Sequence, residues 1–306
     1  MTFVSTGGST ARAYDVAYTV LIGAILVVVL PFAIIALAKN KYGRDPARRF
    51  VPWLKAAFVL FTITLCLLFV QGVLNTYEIH SDVSHWHIVR ASYHVGYLAE
   101  FFRTVSAAAV MVFLLELGPG MHYAIEGVSS MFDKIIRYTA YVLAAVITAL
   151  AIAYYGLSAD FQVNYTNHIG NVYNSRDALD RIYTINQLMG TTAVILWVAS
   201  LVITGLSIYT FIQRKMSPLK SASTLYLVAS LLNLLSSTWN FAYAIEWLFG
   251  WEWLGGRAYY VLILSIILGW WSRGILLVVS YFVALKSGPR GGVWSHVSKN
   301  DYGNRV

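Results

Sequence analysis

The chain has 306 residues, 58% hydrophobic and 12% charged, with a formal net charge of +8. A soluble globular domain carries roughly 25% charged and roughly 45–50% apolar residues. This chain has too little charge to coat a water-facing surface, which argues against a soluble enzyme and against a nucleic-acid partner. Its high apolar content excludes disorder.

Seven apolar segments follow one another, each near the ~20 residues that cross ~30 Å of hydrocarbon. They run over about 14–38, 51–76, 91–117, 135–156, 183–212, 223–248 and 258–285. Each is apolar nearly all round, which suits a span in lipid better than an amphipathic surface helix. The expected fold is all-α, a polytopic seven-helix bundle over 14–285 flanked by tails at 1–13 and 286–306. The first segment lacks a preceding basic cluster and is too long for a signal-peptide core, so it reads as a retained span. Pro31 should kink it. Pro52 and Pro218 fall near helix starts, where proline is tolerated. Gly118-Pro119-Gly120 reads as a turn that halts the third helix after Glu116. Ser175, Asp177 and Asp180 read as the capped start of the fifth. Cys66 is the single cysteine, so no intrachain disulfide can form.

Lysine and arginine set the orientation. With the N-terminus outside, the inner segments hold 15 of the 22 basic residues, the outer segments hold Arg12, Arg90, Arg176, Arg181 and Arg257, and Arg103 and Arg273 lie inside spans. Such an excess predicts an outer N-terminus and a cytosolic C-terminus. Asn164-Tyr165-Thr166, a glycosylation sequon, then falls in an outer loop. The expected location is a plasma membrane or another membrane of the secretory pathway.

Polar residues at membrane depth are the candidates for function. A charge there costs at least ~2.5–3.5 kcal/mol on insertion scales. Arg103 and Arg273 lie near the middle of the third and seventh spans. Glu100 precedes Arg103 by three residues and can pair with it on one helical face. Arg273 has no acid near it in sequence, so an acid from another helix, water or an anionic ligand must complete the site. The plainer alternative is that both arginines tie helices together through carbonyls and amides. On the sixth span Asn233, Ser236 or Ser237, Asn240 and Tyr243 recur at helical spacing, with Glu246 at the outer end. That stripe serves either a ligand or interhelical hydrogen bonds of ~0.6 kcal/mol each. Trp239, Trp270 and Trp271 offer apolar walls beside Arg273, with Trp197 nearby. His80, His85, His87 and His94 gather at the outer mouth without a recognised zinc spacing, so no metal is expected. His122, Glu126 and Asp133 form either a cytosolic docking surface or a bare loop.

The seventh span reads Leu268-Gly269-Trp270-Trp271-Ser272-Arg273-Gly274, with no lysine for a retinal Schiff base, so no cofactor is expected. The inner end of the third span reads Leu115-Glu116-Leu117-Gly118, without the acid-arginine-aromatic triplet of common receptors. A seventh-helix Asn-Pro pair and an outer cysteine pair are also absent. The chain thus resembles seven-helix receptors and rhodopsins in topology only. In general appearance it is similar to orphan seven-helix membrane proteins of filamentous fungi. Three functions stay open. One is a receptor-like sensor that binds a small amphipathic or anionic ligand through Arg103, Arg273, Asn233, Asn240, Trp239, Trp270 and Trp271, with a cytosolic protein partner. Another is an intramembrane enzyme on a polyprenyl-type substrate, with Glu100 or Glu246 as proton donor. The third is a transporter or accessory subunit, in which the polar stripe is a pathway or a partner-binding face.

Overall fold

The computed structural model describes residues 9–39, 46–80, 86–166, 176–214, 219–249 and 259–285. Among them no strand occurs. The long helices are α1 (Ser9–Lys39), α2 (Phe50–His80), α3 (Trp86–Glu126), α4 (Met131–Phe161), α5 (Arg176–Arg214) and α6 (Lys220–Tyr243). A π-helical turn, Ala244–Leu248, continues α6. The last rod joins α7 (Tyr259–Leu264), a π-helical stretch (Ser265–Trp271) and α8 (Ser272–Leu285). Tail residues 1–8 and 286–306 lie outside the described residues, as do Ser175 and Pro218.

Consecutive helices alternate in direction and pack in a ring. α1 lies on α2, α2 on α3, α3 on α4, α4 on α5, α5 on α6, and α6 on the last rod, which closes back onto α1. α3 also reaches α5 and α6, so it runs through the centre. We call the end at which α1, α3, α5 and α7 begin the N-side, and the opposite end the C-side. Aromatic and aliphatic side chains fill the C-side half of the core. Phe50 and Phe113 meet edge to face at 5.9 Å, and Phe58, Phe61 and Leu65 are fully buried. Gly274 lets the last rod come close, since a Cβ there would sit 3.3 Å from Ile25 and 3.4 Å from Val29.

Six helices are long and apolar enough to cross a membrane: Ala13–Ala38, Phe50–Glu78, Trp86–Ala124, Met131–Asn164, Arg176–Arg214 and Tyr260–Ala284. They suggest a multi-pass integral membrane protein in a lipid bilayer. α6 is not among the six, and its sequence shows why. Its buried face is Ser223, Tyr226, Ser230, Asn233, Ser236 and Ser237, while Val228, Leu231 and Leu235 face outward. The polar residues lower its mean hydropathy, yet they are the ones turned inward.

Gly118-Pro119-Gly120 does not end α3. The helix runs through all three residues to Glu126, held by Leu117 and Met121, which are fully buried. Tertiary packing overrides the local turn signal. The stop comes later, at Gly127, whose φ of +71° suits glycine and whose amide donates to the Tyr123 carbonyl at 2.9 Å. This is the left-handed C-terminal cap in which glycine is favoured. α4 then begins with a reciprocal capping box between Ser130 and Asp133. Pro31 lies inside α1, and the helix continues past it.

Gly120 marks a tight crossing, because a Cβ there would lie 2.7 Å from the Ala47 carbonyl oxygen. Gly156 has open space around it. Gly120→Ala is therefore expected to destabilise the protein by about 1–3 kcal/mol through overpacking, and Gly156→Ala to be neutral or slightly stabilising. Thermal unfolding of the two variants in detergent checks the contrast.

Candidate functional site

The polar groups at mid-bundle converge on one cavity. Its wall includes Glu100, Arg103 and Thr104 from α3, Tyr154 from α4, Thr192 from α5, Asn233, Ser237 and Asn240 from α6, and Arg273 from α8. The open space at its centre is about 30 Å³, room for about two water molecules. Around that space lie Met111, Leu150, Met189 and Leu196, an apolar surround that strengthens electrostatic interaction inside.

Each charged group has a distinct setting. Glu100 and Arg103 are one helical turn apart on α3. Arg103 Nε donates to Glu100 Oε2 at 2.7 Å, and Nη2 donates to Glu100 Oε1. The two-toothed pair takes both carboxylate oxygens, the geometry that makes arginine–carboxylate pairs strong. Arg103 Nη1 also reaches Asn240 Oδ1 at 3.5 Å, which ties α3 to α6. Arg273 is different. It is 5% exposed, and its Nε has no hydrogen-bond partner. Among the described residues it forms no ion pair. Two guanidinium groups and one carboxylate thus face the same small space, and the carboxylate is already engaged.

The backbone beside Arg273 is unusual. Seven residues of π-helix, Ser265–Trp271, lead directly into α8, and π segments recur at functional sites. α6 clasps this stretch. Ser236 Oγ donates to the Gly269 carbonyl at 3.1 Å, and Trp239 Nε1 donates to Ser265 Oγ at 3.1 Å. Those bonds fix the register between α6 and α8, and so fix where Arg273 sits relative to Asn233 and Asn240.

The aromatic candidates lie outside the cavity wall. Trp239 is engaged with Ser265, Trp270 stacks on Phe61 at 6.1 Å, and Trp271 packs against the hydrophobic core. Trp197 stacks on Phe241 at 4.2 Å. Glu246 is exposed in the π turn after α6. Asn164 is exposed in the π-helical turn Gln162–Thr166 that follows α4, and its Nδ2 donates to Asp160 Oδ1 at 2.7 Å. His94 contacts the Tyr155 hydroxyl at 3.3 Å, His87 is exposed, and His80 and His85 lie outside the described side chains. Among the described residues no group of three or more His, Cys, Asp and Glu is placed to hold a metal ion.

Sequence reasoning missed the α4 and α5 side of the cavity. Tyr154 and Thr192 sit in long apolar stretches and carry no spacing that marks them. It also missed Asn186, which is fully buried on α5 with neither amide atom bonded. A second set of charges ties the C-side ends together. Glu116, 2% exposed, accepts from Arg137 Nε at 2.9 Å and from the Tyr141 hydroxyl at 2.6 Å. His122 lies 3.0 Å from Glu126 and 3.1 Å from Asp133, and Arg214 lies 3.4 Å from Glu126.

Removing the carboxylate of the cavity should expose the charge imbalance. Glu100→Gln leaves two guanidinium groups without a counter-charge and is expected to destabilise by on the order of 3 kcal/mol, as when one partner of a buried pair is lost. Adding Arg273→Leu should recover part of that loss. Denaturation of the single and double variants gives the coupling, and strict additivity would show that the two residues do not sense each other. Neither a protein-family model nor a curated relative matches the chain.

Proposed function

We propose that the chain is a seven-span membrane protein that works as a receptor-like sensor, with a small anionic ligand bound between α3, α6 and α8. The observation that carries this reading is Arg273: a guanidinium buried in a cavity, without an ion-pair partner among the described residues, beside a second arginine whose acid is fully used. Ionisable residues at membrane depth are functional by default, with the partner to be named. The partner that this geometry lacks is negative. Glu100, with both oxygens accepting from Arg103, has the arrangement of a counter-ion rather than of a proton donor, and this favours binding over catalysis.

In this reading α6 is the seventh span. Its outward Val228, Leu231 and Leu235 support it, as does its place between α5 and the last rod. The excess of lysine and arginine at the C-side supports a cytosolic C-side and an outer N-side. The C-side cluster of His122, Glu126, Asp133 and Arg214 then faces the cytosol, where a protein partner would read the state of the bundle.

One substitution separates a ligand site from a structural tie. If Arg273 only held helices together, Arg273→Leu would destabilise the protein. If it awaits an anion, the empty wild type bears an uncompensated charge, and a leucine of similar volume should stabilise it by about 1–4 kcal/mol. The measurement is the unfolding midpoint of both proteins with gluconate as the sole bulk anion, and a lower midpoint for the variant would refute the site. Orientation is checked separately. An N-terminal epitope should be reached on intact cells and a C-terminal one only after permeabilisation. Epitopes that are reached together would overturn the orientation.

A further inference from the structure

We infer that the ligand is a monovalent anion of halide size rather than an organic acid. The inference rests on the cavity being an anion site, and it follows from charge, volume and donors. With Glu100 paired to Arg103, the site carries one uncompensated positive charge. A single monovalent anion cancels it, whereas a divalent one would leave a buried excess of negative charge, which is costly in an apolar surround. The open space of about 30 Å³ is of the size of a single halide ion, and not of the body of an amphipath. The three tryptophans that would cover such a body are turned elsewhere: Trp239 to Ser265, Trp270 to Phe61 and Trp271 to the core.

The donor set agrees. Asn240 turns its Oδ1 toward Arg103, which leaves its amide N–H groups for the cavity. Asn233 and Ser237 lie on the same face of α6, at 8% and 4% exposure. Together with the guanidinium of Arg273, whose Nε has no hydrogen-bond partner among the described residues, they bring donors from two helices to the same cavity. The carboxylate on the wall, the only one among the described residues there, is already covered by Arg103, so it repels an incoming anion less than a bare one would. A halide asks for several N–H and O–H donors, and the side chains of Arg273, Asn233, Asn240 and Ser237 bring such donors to the wall.

The test uses the purified full chain in detergent, with gluconate as reference anion and matched ionic strength. Chloride and bromide should raise the unfolding midpoint saturably, by about 5–10 °C at a hundredfold excess over Kd, and bromide should give an anomalous scattering peak beside Arg273. Arg273→Leu should abolish the rise. Asn240→Leu should weaken apparent affinity about tenfold, and it serves alone if the arginine variant is not recovered. A rise with acetate or larger carboxylates but not with halides would overturn the halide assignment and leave the anion site standing. A flat response to every anion, or a rise that persists in Arg273→Leu as a bulk salt effect, would remove the anion site itself.

Discussion

In hydrocarbon a charge has to be answered from within the protein. Arg103 is answered by Glu100 and Asn240. Arg273 has no such answer among the described residues, although it is nearly as deeply enclosed as the alanines and leucines around it. Much of the surrounding architecture bears on that single guanidinium. α3 brings the second arginine and its acid, α6 brings amides and hydroxyls, and the π-helical stretch carries the last rod to the point where Arg273 enters the cavity. Bonds from Ser236 and Trp239 hold this register. Natural proteins tolerate such a local cost where a site needs it.

The bundle also inverts the usual pattern of a water-soluble fold. On α6 the serines and asparagines are buried and the branched aliphatic residues are outside. Hydroxyls inside the bundle return to backbone carbonyls one turn earlier, as Thr204 does to Ser200 at 2.8 Å and Ser230 to Tyr226 at 2.9 Å. Those local bonds satisfy the side chains without a partner helix. They leave the interhelical polar contacts few and specific, and most of them are made by the central α3, to α2 through Ser92 and Ser106, to α4 through Glu116 and His94, and to α6 through Arg103. The C-side relies on charge instead, with Glu116, Arg137 and Tyr141 joining α3 to α4.

Much of the fold could be read from the residues. The apolar runs place all the long helices, and the described helices extend beyond most of those runs by a few residues at each end. The stripe Asn233, Ser237 and Asn240 could be recognised because its spacing is helical, and Arg103 and Arg273 because charge is rare at that depth. Other features were not legible. The turn signal at Gly118-Pro119-Gly120 misleads, since proline and glycine report local preference while α3 is held by packing on α2 and by the close crossing at Ala47. Tyr154 and Thr192 reach the cavity only because α4 and α5 are rotated to face it, and that rotation depends on neighbours. The adjacency of Trp270 and Trp271 to Arg273 in sequence suggested a shared pocket. Trp271 precedes Arg273 by two residues, a spacing that does not share a helical face, and Trp270, three residues before it, turns to Phe61 instead, so closeness along the chain does not become closeness around the cavity.

The length of α3 joins the cavity to the C-side end of the bundle. The helix is 41 residues long and unbroken, with Arg103 near its middle and Glu126 at its far end. The 23 residues between them span about 35 Å. A stiff rod pivoting at Arg103 is a lever arm: a swing of about 5° moves its tip by about 3 Å. That travel compares with the 3.4 Å separation of Glu126 and Arg214, so a slight tilt of α3 at the depth of Arg103 is geometrically sufficient to part its far end from α5.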